Sequence, residues 1–572
     1  MKQHSFVKLL LVVLIALFVL PLGASAEDAA VQTTPLVTAQ SGMVVAQEAL
    51  AARIGVEILQ KGGNAVDAAV AVGFAMAVSY PRAGNIGGGG FMVIHRAVGG
   101  EAVIDYRETA PAAINATSFL DAQGNADPQK SRESALAIGV PGTVAGLALA
   151  EAKYGSGHFT LADLIAPAIA LARDGIAVAD DTADSLLVDR PRLARWPSSA
   201  KIFLKAGGGV LAEGDRLVQP DLATTLSAIA KNGPRAFYEG PIAEKLAAAV
   251  QASGGVMTAA DLKDYRAIER EPVRGSYRGY DIVSMPPPSS GGVALIEMLN
   301  IIEGYDLAHQ DRAQALFLIV ETMKRAYADR AWFLGDPDRV QIPVARLTSK
   351  SYAAQWRATI DPEHATPASE IRAGATVERE GHNTTHFSVI DRFGNAVSNT
   401  YTINFSYGVG LVAEGTGVLL NNELDDFAAK ANAPNAYGLL GDAANAPAPG
   451  KRPLSSMTPT IVLKDGKPFL VTGSPGGSFI INVVLQIVSN VIDRAMDIAS
   501  AVSAPRVHDQ WMPDRVMAEP ALPADLIAAL QARGENVVVR PLTTSANSIL
   551  VTPAGITGAA DPRTRGALAA GY

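Results

Sequence analysis

Two short segments on either side of residues 391–395 alternate between apolar and polar positions, which predicts the two strands of a β-hairpin. The five residues between them, Asp-Arg-Phe-Gly-Asn, are typical of a turn. A turn centred on Phe393 places Thr384 opposite Thr402. One face of the hairpin then carries hydroxyl and imidazole groups, and the other face is apolar. A solvated polar face is the ordinary interpretation, and a buried site is the alternative.

Elsewhere, apolar spacing predicts helices mixed with short strands. The predicted elements are, in chain order, a helix over 47–59, a second helix capped by Asn64 and continuing to Val78, strands over 91–94 and 102–105, a mainly helical stretch over 142–283, strands over 460–463 and 469–473, and a helix over 479–491. Because strands meet helices in both halves of the chain, we expect a layered α/β or α+β body.

Composition narrows the class of protein. The 572 residues are 48% hydrophobic and 18% charged, enough for one large core or two moderate ones. A net charge of -8 without a run of Lys and Arg argues against a nucleic-acid partner. The chain has no Cys, which excludes disulfides, thiolate metal sites and a Cys nucleophile.

The first 26 residues have the layout of a secretory signal peptide. Lys2 and Lys8 precede an apolar run over 9–20, and the small residues Ala-Ser-Ala end at Ala26. The apolar run is shorter than the roughly 20 residues that span a bilayer, so an uncleaved anchor is the weaker alternative. We expect cleavage after Ala26, a periplasmic or secreted protein, and no membrane association after signal removal.

Several motifs of other hydrolases and nucleotide-binding proteins are missing. The glycine run over 87–90 lacks both the Lys-Ser/Thr ending of a phosphate loop and Gly-x-Gly-x-x-Gly spacing, so we interpret it as a close approach of backbones. Gly-x-Ser-x-Gly and His-Glu-x-x-His are also absent, which disfavours a serine hydrolase and a zinc hydrolase. We expect neither a metal nor a cofactor.

A set of motifs across the chain resembles the γ-glutamyltransferase family, also called γ-glutamyltranspeptidase or glutathione hydrolase, of the N-terminal nucleophile hydrolase superfamily. The motifs are Asn85-Ile86-Gly87-Gly88-Gly89-Gly90-Phe91, Asp105-Tyr106-Arg107-Glu108, Pro286-Pro287-Pro288-Ser289-Ser290-Gly291-Gly292, Thr384-Thr385-His386, Thr402-x-Asn404, Asn421-Asn422-Glu423-x-Asp425-Asp426-Phe427, Pro453-Leu454-Ser455-Ser456-Met457, Gly473-Ser474-Pro475-Gly476-Gly477-Ser478, Asp561-Pro562-Arg563 and Gly571-Tyr572. They cover essentially the whole mature chain.

In that family the inactive precursor cleaves itself just before the first Thr of the Thr-Thr-His run. The resemblance therefore implies cleavage of the bond between Asn383 and Thr384, after removal of a signal peptide over 1–26. A large subunit over 27–383 and a small subunit over 384–572 would form a heterodimer. The implied fold is α+β, a four-layer αββα sandwich built from both autocleaved fragments.

The chemistry is centred on Thr384. A Thr hydroxyl is a poor nucleophile until a base takes its proton, and a chain-terminal Thr carries a base in its α-amine, with an ordinary pKa of about 7.7 to 8.0. The resemblance implies that Thr402 tunes this nucleophile. Gly476 and Gly477 can present backbone N–H groups to a tetrahedral oxyanion.

The resemblance also implies a pocket for a zwitterionic amino-acid head. Arg107, Ser455 and Ser456 would bind its α-carboxylate, because a guanidinium fork suits two hydrogen bonds to a carboxylate. Glu423 and Asp426 would bind its α-ammonium, and Asn404 would touch the substrate. Family members carry Gln or Glu at the position of Glu423, so the pocket charge varies. In family members with a lid, an aromatic residue matching Tyr437 covers the pocket, and we expect a lid over 428–450.

The predicted reaction transfers a γ-glutamyl group from glutathione or a related amide to Thr384, and then to water, an amino acid or a peptide. One alternative is a related acylase acting on glutaryl β-lactams or poly-γ-glutamate, which would alter the amino-head pocket. The other is an exported protein that binds glutamate-like ligands, remains in one piece and shows no turnover.

Overall fold

The computed structural model describes residues 33–371 and 384–572. The predicted signal peptide over 1–26 and Asn383 lie outside the described residues. No helix within the two described ranges is long and apolar enough to cross a membrane.

Most strands of the two described ranges are short. They are β1 (Val37–Ala39), β2 (Met43–Ala46), β3 (Gly89–His95), β4 (Glu101–Asp105), β5 (Ile176–Ala177), β6 (Arg216–Leu217), β7 (Ile268–Arg270), β8 (Val273–Tyr277), β9 (Tyr280–Ser284), β10 (Thr385–Ile390), β11 (Ala396–Thr402), β12 (Val412–Ala413), β13 (Val418–Leu419), β14 (Thr460–Lys464), β15 (Lys467–Thr472), β16 (Val507–His508), β17 (Val516–Ala518), β18 (Val537–Val539), β19 (Ser548–Thr552), β20 (Gly555–Ala559) and β21 (Leu568–Gly571).

Helices occupy the intervening segments. They are α1 (Ala49–Gln60), α2 (Ala65–Ser79), α3 (Thr143–Tyr154), α4 (Leu161–Asp174), α5 (Asp180–Ala194), α6 (Pro197–Phe203), α7 (Pro220–Asn232), α8 (Arg235–Tyr238), α9 (Pro241–Ala252), α10 (Ala259–Asp264), α11 (Gly291–Ile302), α12 (Arg312–Phe333), α13 (Val344–Leu347), α14 (Lys350–Arg357), α15 (Ala368–Ile371), α16 (Phe479–Ile492), α17 (Ile498–Ser503) and α18 (Ala524–Ala532). Short turns of 3-10 helix occur at Ala135–Ala137, Glu423–Asp426 and Ala443–Asn445.

Two seven-stranded antiparallel sheets form the centre of the molecule. One has the strand order β1-β20-β19-β15-β14-β9-β8 and the other the order β21-β2-β10-β11-β3-β4-β7. The sheets pack face to face, with α1, α2 and α3 outside the second and α11, α16 and α17 outside the first. Separate apolar clusters fill the space between the sheets and the two spaces between each sheet and its helices. This confirms the predicted α+β class and its αββα layers.

The predicted hairpin is confirmed as β10 and β11, at the middle of the second sheet. His386 pairs with Thr400 and Ser388 with Ser398, which is the register that a turn centred on Phe393 predicts. The apolar face packs against the outer helices through Phe387 and its neighbours.

The polar face of this hairpin is buried. Ser388 Oγ donates to the Asn547 carbonyl at 2.8 Å, and Ser398 Oγ donates to the Thr472 carbonyl at 2.9 Å. Both acceptors belong to the first sheet or its edge, so the polar face lies between the two sheets. The solvated interpretation was therefore wrong.

The other predicted elements agree with the structure to within a few residues. Helix α1 begins at Ala49, because the Glu48 carboxylate accepts hydrogen bonds from two N–H groups of the first turn. Asn64 caps α2 as predicted, and Asp67 completes a capping box. The stretch over 142–283 is helical up to Asp264 apart from the short β5 and β6, but it ends in β7, β8 and β9.

Candidate active site

Thr384 lies immediately before β10, at the open end of the hairpin, and its side chain is 5% exposed. It lines a cavity of about 20 Å³, which we call the head cavity. The other lining residues are Arg107, Thr402, Asn404, Glu423, Asp426, Tyr437, Leu439, Ser455, Ser456, Met457, Gly477 and Ile480. Every predicted site residue except Gly476 therefore meets at one cavity.

Thr402 and Asn404 enter this cavity from the end of β11. Asn404 has a φ of 71°, a left-handed conformation that Asn tolerates better than most residues. Its N–H donates to Thr402 Oγ1 at 2.8 Å, and its side-chain Nδ2 donates to the Asn422 carbonyl at 2.9 Å. The Asn404 side chain is thus fixed by the segment that carries Glu423.

Gly476 and Gly477 form a tight turn between β15 and α16. Their φ values of 132° and 55° lie in the region that favours glycine. No atom within residues 33–371 and 384–572 accepts a hydrogen bond from either N–H group. Gly477 lines the head cavity beside Thr384, so the turn offers N–H donors next to the predicted nucleophile.

The glycine run over 87–90 permits a close approach of backbones, as predicted. A Cβ on Gly88 would lie 2.1 Å from the Thr402 carbonyl oxygen, and one on Gly87 would lie 2.0 Å from the Leu419 carbonyl oxygen. These contacts hold β3 tightly against β11 and against the strand that leads to Glu423.

Arg107 is completely buried two residues after β4. Its guanidinium donates to a carboxylate oxygen of Glu423 and to one of Asp426, and its Nε donates to the Pro453 carbonyl at 3.1 Å. The predicted carboxylate-binding and ammonium-binding groups therefore pair directly with each other. The paired groups form part of the lining of the head cavity.

Burial governs the electrostatics of the carboxylates. It raises the pKa of Glu423 well above its usual range, although Arg107 opposes this shift, and it also raises the pKa of Asp426. Burial would lower the pKa of Arg107, but Glu423 and Asp426 raise it overall. The adjoining Glu108 is fully buried, and neither of its oxygens has a hydrogen-bond partner in the described part of the chain.

Ser455 and Ser456 line the cavity beside Arg107, and a second arginine fixes both. Arg330, on α12, donates from Nη2 to Ser456 Oγ at 3.1 Å and from Nε to Ser290 Oγ at 3.0 Å. Ser290 Oγ in turn donates to the Ser455 carbonyl at 2.7 Å. Burial lowers the pKa of Arg330 to about 10. No carboxylate among the described residues forms an ion pair with it.

Sequence reasoning missed Arg330, Ser290 and Glu108. No functional role was assigned from the sequence to the charged residues of α12. Lys324 and Arg325 do form ion pairs, but both are buried, as is Arg330. The sequence of α12 did contain a sign of this burial. Its charged residues are interspersed with Ala and aromatic residues, so the long helix has no continuous polar face to turn toward solvent.

Tyr437 lies over Gly477, within the predicted lid segment. A Cβ on Gly477 would approach its ring to 2.3 Å, and its hydroxyl donates to Asn404 Oδ1. The rings of Phe405 and Tyr437 are arranged edge to face, with their centroids 6.3 Å apart. Tyr437 therefore covers one side of the head cavity in this structure, and lid motion remains a prediction.

His386 is not a candidate base. Burial lowers its pKa to about 3, so the imidazole is too weak a base to take a proton readily. Its nitrogens lie 2.8 Å from Thr400 Oγ1 and 3.0 Å from Ser388 Oγ. Within the described ranges, no group of three or more His, Asp or Glu residues could hold a metal ion.

Comparison with a solved structure defines the class of fold. The chain is similar to the crystal structure of cephalosporin acylase from Bacillus halodurans, with a TM-score of 0.83 and 27% identity over 95% of this chain and 97% of that one. The two-sheet core with a Thr before the central hairpin is thus the fold of N-terminal nucleophile hydrolases.

Sequence comparison is more specific. The Gamma-glutamyltranspeptidase family model matches residues 51–571, and the chain belongs to this family. It is 50% identical to the glutathione hydrolase proenzyme of Escherichia coli over 94% of this chain and 93% of that one. It is also 44% identical to the glutathione hydrolase proenzyme of Pseudomonas sp. A14 over the full length of both. The recognised resemblance is confirmed.

Proposed function

We propose that this protein transfers γ-glutamyl groups from glutathione and related γ-glutamyl amides to water, amino acids or peptides, after cleaving itself before Thr384. The names of its relatives, glutathione hydrolase proenzymes, support both the donor and the precursor. The observation that supports this proposal most directly is that Thr384, an arginine, two serines and two carboxylates line the same buried cavity.

Self-cleavage supplies the base. In the precursor the Thr384 nitrogen is an amide, which cannot take a proton, and after cleavage it is an amine. Thr384 Oγ then attacks the γ-carbonyl carbon, the carbon–nitrogen bond breaks, and the leaving amine gains the proton. Gly476 and Gly477 stabilise the oxyanion through their N–H groups. Water or a second amine attacks the resulting ester and releases Thr384 Oγ.

The head cavity recognises the amino acid by replacing its internal ion pairs with ion pairs to the substrate. Arg107, Ser455 and Ser456 take the α-carboxylate of the substrate, while Glu423 and Asp426 take its α-ammonium. Each protein charge leaves an internal partner and gains one from the substrate, so no buried charge is left unpaired. A cavity of about 20 Å³ holds about one water molecule, so Arg107 and the two carboxylates must also move apart to admit the zwitterion.

A glutaryl acylase is the second candidate, because the fold is similar to that of a cephalosporin acylase. A glutaryl group has no α-ammonium and would leave Glu423 and Asp426 without their new partner. We therefore expect the γ-glutamyl anilide to be turned over at least about a hundredfold faster than the glutaryl anilide. Equal rates in a side-by-side assay would favour the acylase.

Intact mass and N-terminal sequencing of the purified exported protein test maturation without assuming a substrate. We expect two fragments, a large one beginning near Glu27 and a small one beginning at Thr384. Co-purification of the fragments would support the heterodimer, and recovery from the periplasm or medium would support export. A single uncleaved chain without turnover would support the binding-protein alternative instead.

Thr384→Ala is the sharpest variant, because it removes the hydroxyl needed for both cleavage and turnover. We expect one uncleaved chain by mass spectrometry and loss of donor turnover to background. Thr384→Ser is the matched control, since it keeps the hydroxyl, and we expect slower but detectable cleavage and turnover. Cleavage of the Ala variant would refute the assignment of Thr384.

A further inference from the structure

Asp105, from the Asp-Tyr-Arg-Glu motif, has no part in the proposed reaction but belongs to a network of buried charges. It ends β4, and its side chain is completely buried. Its Oδ1 accepts a hydrogen bond from the N–H of Arg107 at 3.0 Å. Its Oδ2 accepts one from Arg270 Nε at 2.7 Å and lies 3.2 Å from Arg452 Nε. One carboxylate thus joins the backbone of Arg107 to two arginines from distant parts of the chain.

The network reaches both segments that would bind the substrate carboxylate. Arg107 follows Asp105 by two residues, and Arg452 precedes Ser455 by three. The Pro453 carbonyl, next to Arg452, accepts a hydrogen bond from Arg107 Nε at 3.1 Å. Asp105 therefore links the end of β4 to the segment that carries the two serines of the head cavity.

Tyr265 contacts the same network from a third segment. Its hydroxyl donates to the Arg107 carbonyl at 2.8 Å, and its ring faces the Arg452 guanidinium, 5.6 Å from the ring centroid. Burial would lower the pKa of Arg452, but Asp105 and Tyr265 raise it overall. Arg452 therefore keeps the positive charge that pairs with Asp105.

These contacts matter most while a substrate binds. In the proposed function, Arg107 leaves its two internal carboxylates and pairs with the α-carboxylate of the substrate. Its hydrogen bonds from the N–H to Asp105 and from Nε to the Pro453 carbonyl involve neither of those carboxylates, so they can persist during the exchange. They would hold the guanidinium beside the two serines while its ion pairs change.

Asp105 lines neither of the two cavities that border Thr384. One of them is the head cavity. The second cavity, of about 70 Å³, borders Thr384 from another side, and its lining includes Arg82, Asp181, Gly476, Ser545 and Arg563. Asp105 can therefore act on a bound substrate only through its neighbours.

We propose that Asp105 is a positioning residue for recognition of the substrate α-carboxylate. Its carboxylate holds Arg107 at a fixed distance from the segment that carries Ser455 and Ser456, so that the guanidinium and both hydroxyls meet one ligand group. The inference rests on the proposed function.

The test compares two donors that differ only in the α-carboxylate. Matured wild type and Asp105→Asn are assayed with γ-glutamyl-p-nitroanilide and with 4-aminobutyryl-p-nitroanilide, which lacks this group. Asn keeps an acceptor for the Arg107 N–H but loses the charge that pairs with Arg270 and Arg452. We expect KM for the γ-glutamyl donor to rise about tenfold with kcat changed less than about twofold. The kcat/KM for the 4-aminobutyryl donor should change less than about twofold.

A double-mutant cycle shows whether Asp105 acts through Arg107. In the Arg107→Ala background, adding Asp105→Asn should lower γ-glutamyl kcat/KM by no more than about twofold, because the guanidinium that Asp105 positions is already gone. A further tenfold loss in that background would assign Asp105 to the general stability of the site and overturn the proposal.

Asp493→Asn is the matched control, because Asp493 is another buried carboxylate that pairs with an arginine. It accepts a hydrogen bond from Tyr277 Oη at 2.6 Å, pairs with Arg278 and lines neither cavity. We expect KM for both donors to equal that of the wild type, even where the apparent Tm falls.

Arg452→Gln removes the same ion pair from its other side and keeps the test informative where Asp105→Asn does not mature. It should raise KM for the γ-glutamyl donor and leave the 4-aminobutyryl donor nearly unaffected. If the ratio of the two kcat/KM values is unchanged in both variants, the proposal is overturned. Failure of both to mature also overturns it, because the network would then serve folding. Absence of γ-glutamyl turnover in the wild type would instead overturn the proposed function.

Discussion

The two cavities beside Thr384 are built from different chemistry. The head cavity has a volume of about 20 Å³, and its lining includes Arg107, Glu423 and Asp426, which pair with one another. The second cavity has about 70 Å³ and is lined by hydroxyl groups together with Arg82, Asp181 and Arg563. Fixed charges suit one invariant amino-acid head, whereas hydroxyls can donate or accept and so suit groups of varied structure. We therefore expect the two sides of Thr384 to select different chemical groups.

The largest effect is expected at the centre of the head cavity. Arg107→Ala removes the guanidinium that would pair with the α-carboxylate of the substrate, and truncating one partner of a buried charge pair costs about 2–5 kcal/mol of binding free energy. We expect donor kcat/KM to fall about a thousandfold, while self-cleavage and the ratio of transfer to hydrolysis stay unchanged. Steady-state kinetics and mass spectrometry check both parts.

Arg107→Lys is the accompanying variant, because it keeps the charge and loses the fork. It should fall between the wild type and the Ala variant in donor kcat/KM. Loss of cleavage in both variants would mean that Arg107 is structural.

Arg330 should have a smaller and more selective effect. Because it orients Ser456 and, through Ser290, the backbone of Ser455, Arg330→Met should raise donor KM about tenfold with a small change in kcat. The 4-aminobutyryl anilide, which lacks the α-carboxylate, should be affected less than threefold. Arg330→Lys should recover part of the loss.

An equal loss for both anilides would show that Arg330 supports the fold and not carboxylate recognition. The ratio of transfer to hydrolysis should be unchanged, since Arg330 does not line the second cavity.

The smallest expected effect is on how stability depends on pH. A buried acid beside the head cavity and one beside the second cavity should change this dependence in opposite directions. Burial raises the pKa of Glu108 from 4.5 to about 8 in the folded chain. The stability contribution of this acid is complete below pH 4.5 and is lost as the pH rises through 8, because the folded state holds the proton more tightly. Glu108→Gln should therefore reduce the fall in apparent Tm between pH 5 and pH 9 by several degrees, in thermal scans of both proteins.

Beside the second cavity the sign is reversed. Burial would raise the pKa of Asp561, but Arg506 and Arg563 lower it overall. The stability it contributes is present above an ordinary pKa of 3.8 and is lost as the pH falls through the lower folded value. Asp561→Asn should thus make the apparent Tm less sensitive to acid, and a response at alkaline pH instead would contradict this.

The hairpin could be predicted from sequence because its register depends on local alternation and on one turn. Asn64 was predictable for the same local reason. The direction of the polar hairpin face was not, because a strand pattern is the same whether that face meets water or a second polar sheet. The resemblance, and not the periodicity, favoured the buried interpretation.

The site residues could be predicted only where they belong to a motif of the resembled family. Arg107 reaches Glu423 and Asp426 across more than 300 residues of chain, so no local pattern shows their direct pairing. Arg330 and Ser545 could not be predicted for the same reason. An isolated charge on a helix and an isolated Ser in a loop are usually surface residues. Their burial depends on elements brought together only by the folded sheets.

The strand order has a further consequence for subunit exchange. Both sheets contain strands from before and from after the predicted cut: in the first sheet the four strands from β20 to β14 lie between β1 and β9, and in the second β10 and β11 lie between β2 and β3. Separating the fragments would require tearing both sheets apart, so a cut before Thr384 removes a peptide bond without creating two independent bodies. Matured molecules carrying defects in different fragments would therefore not complement each other when mixed, whereas fragments folded together from the start could.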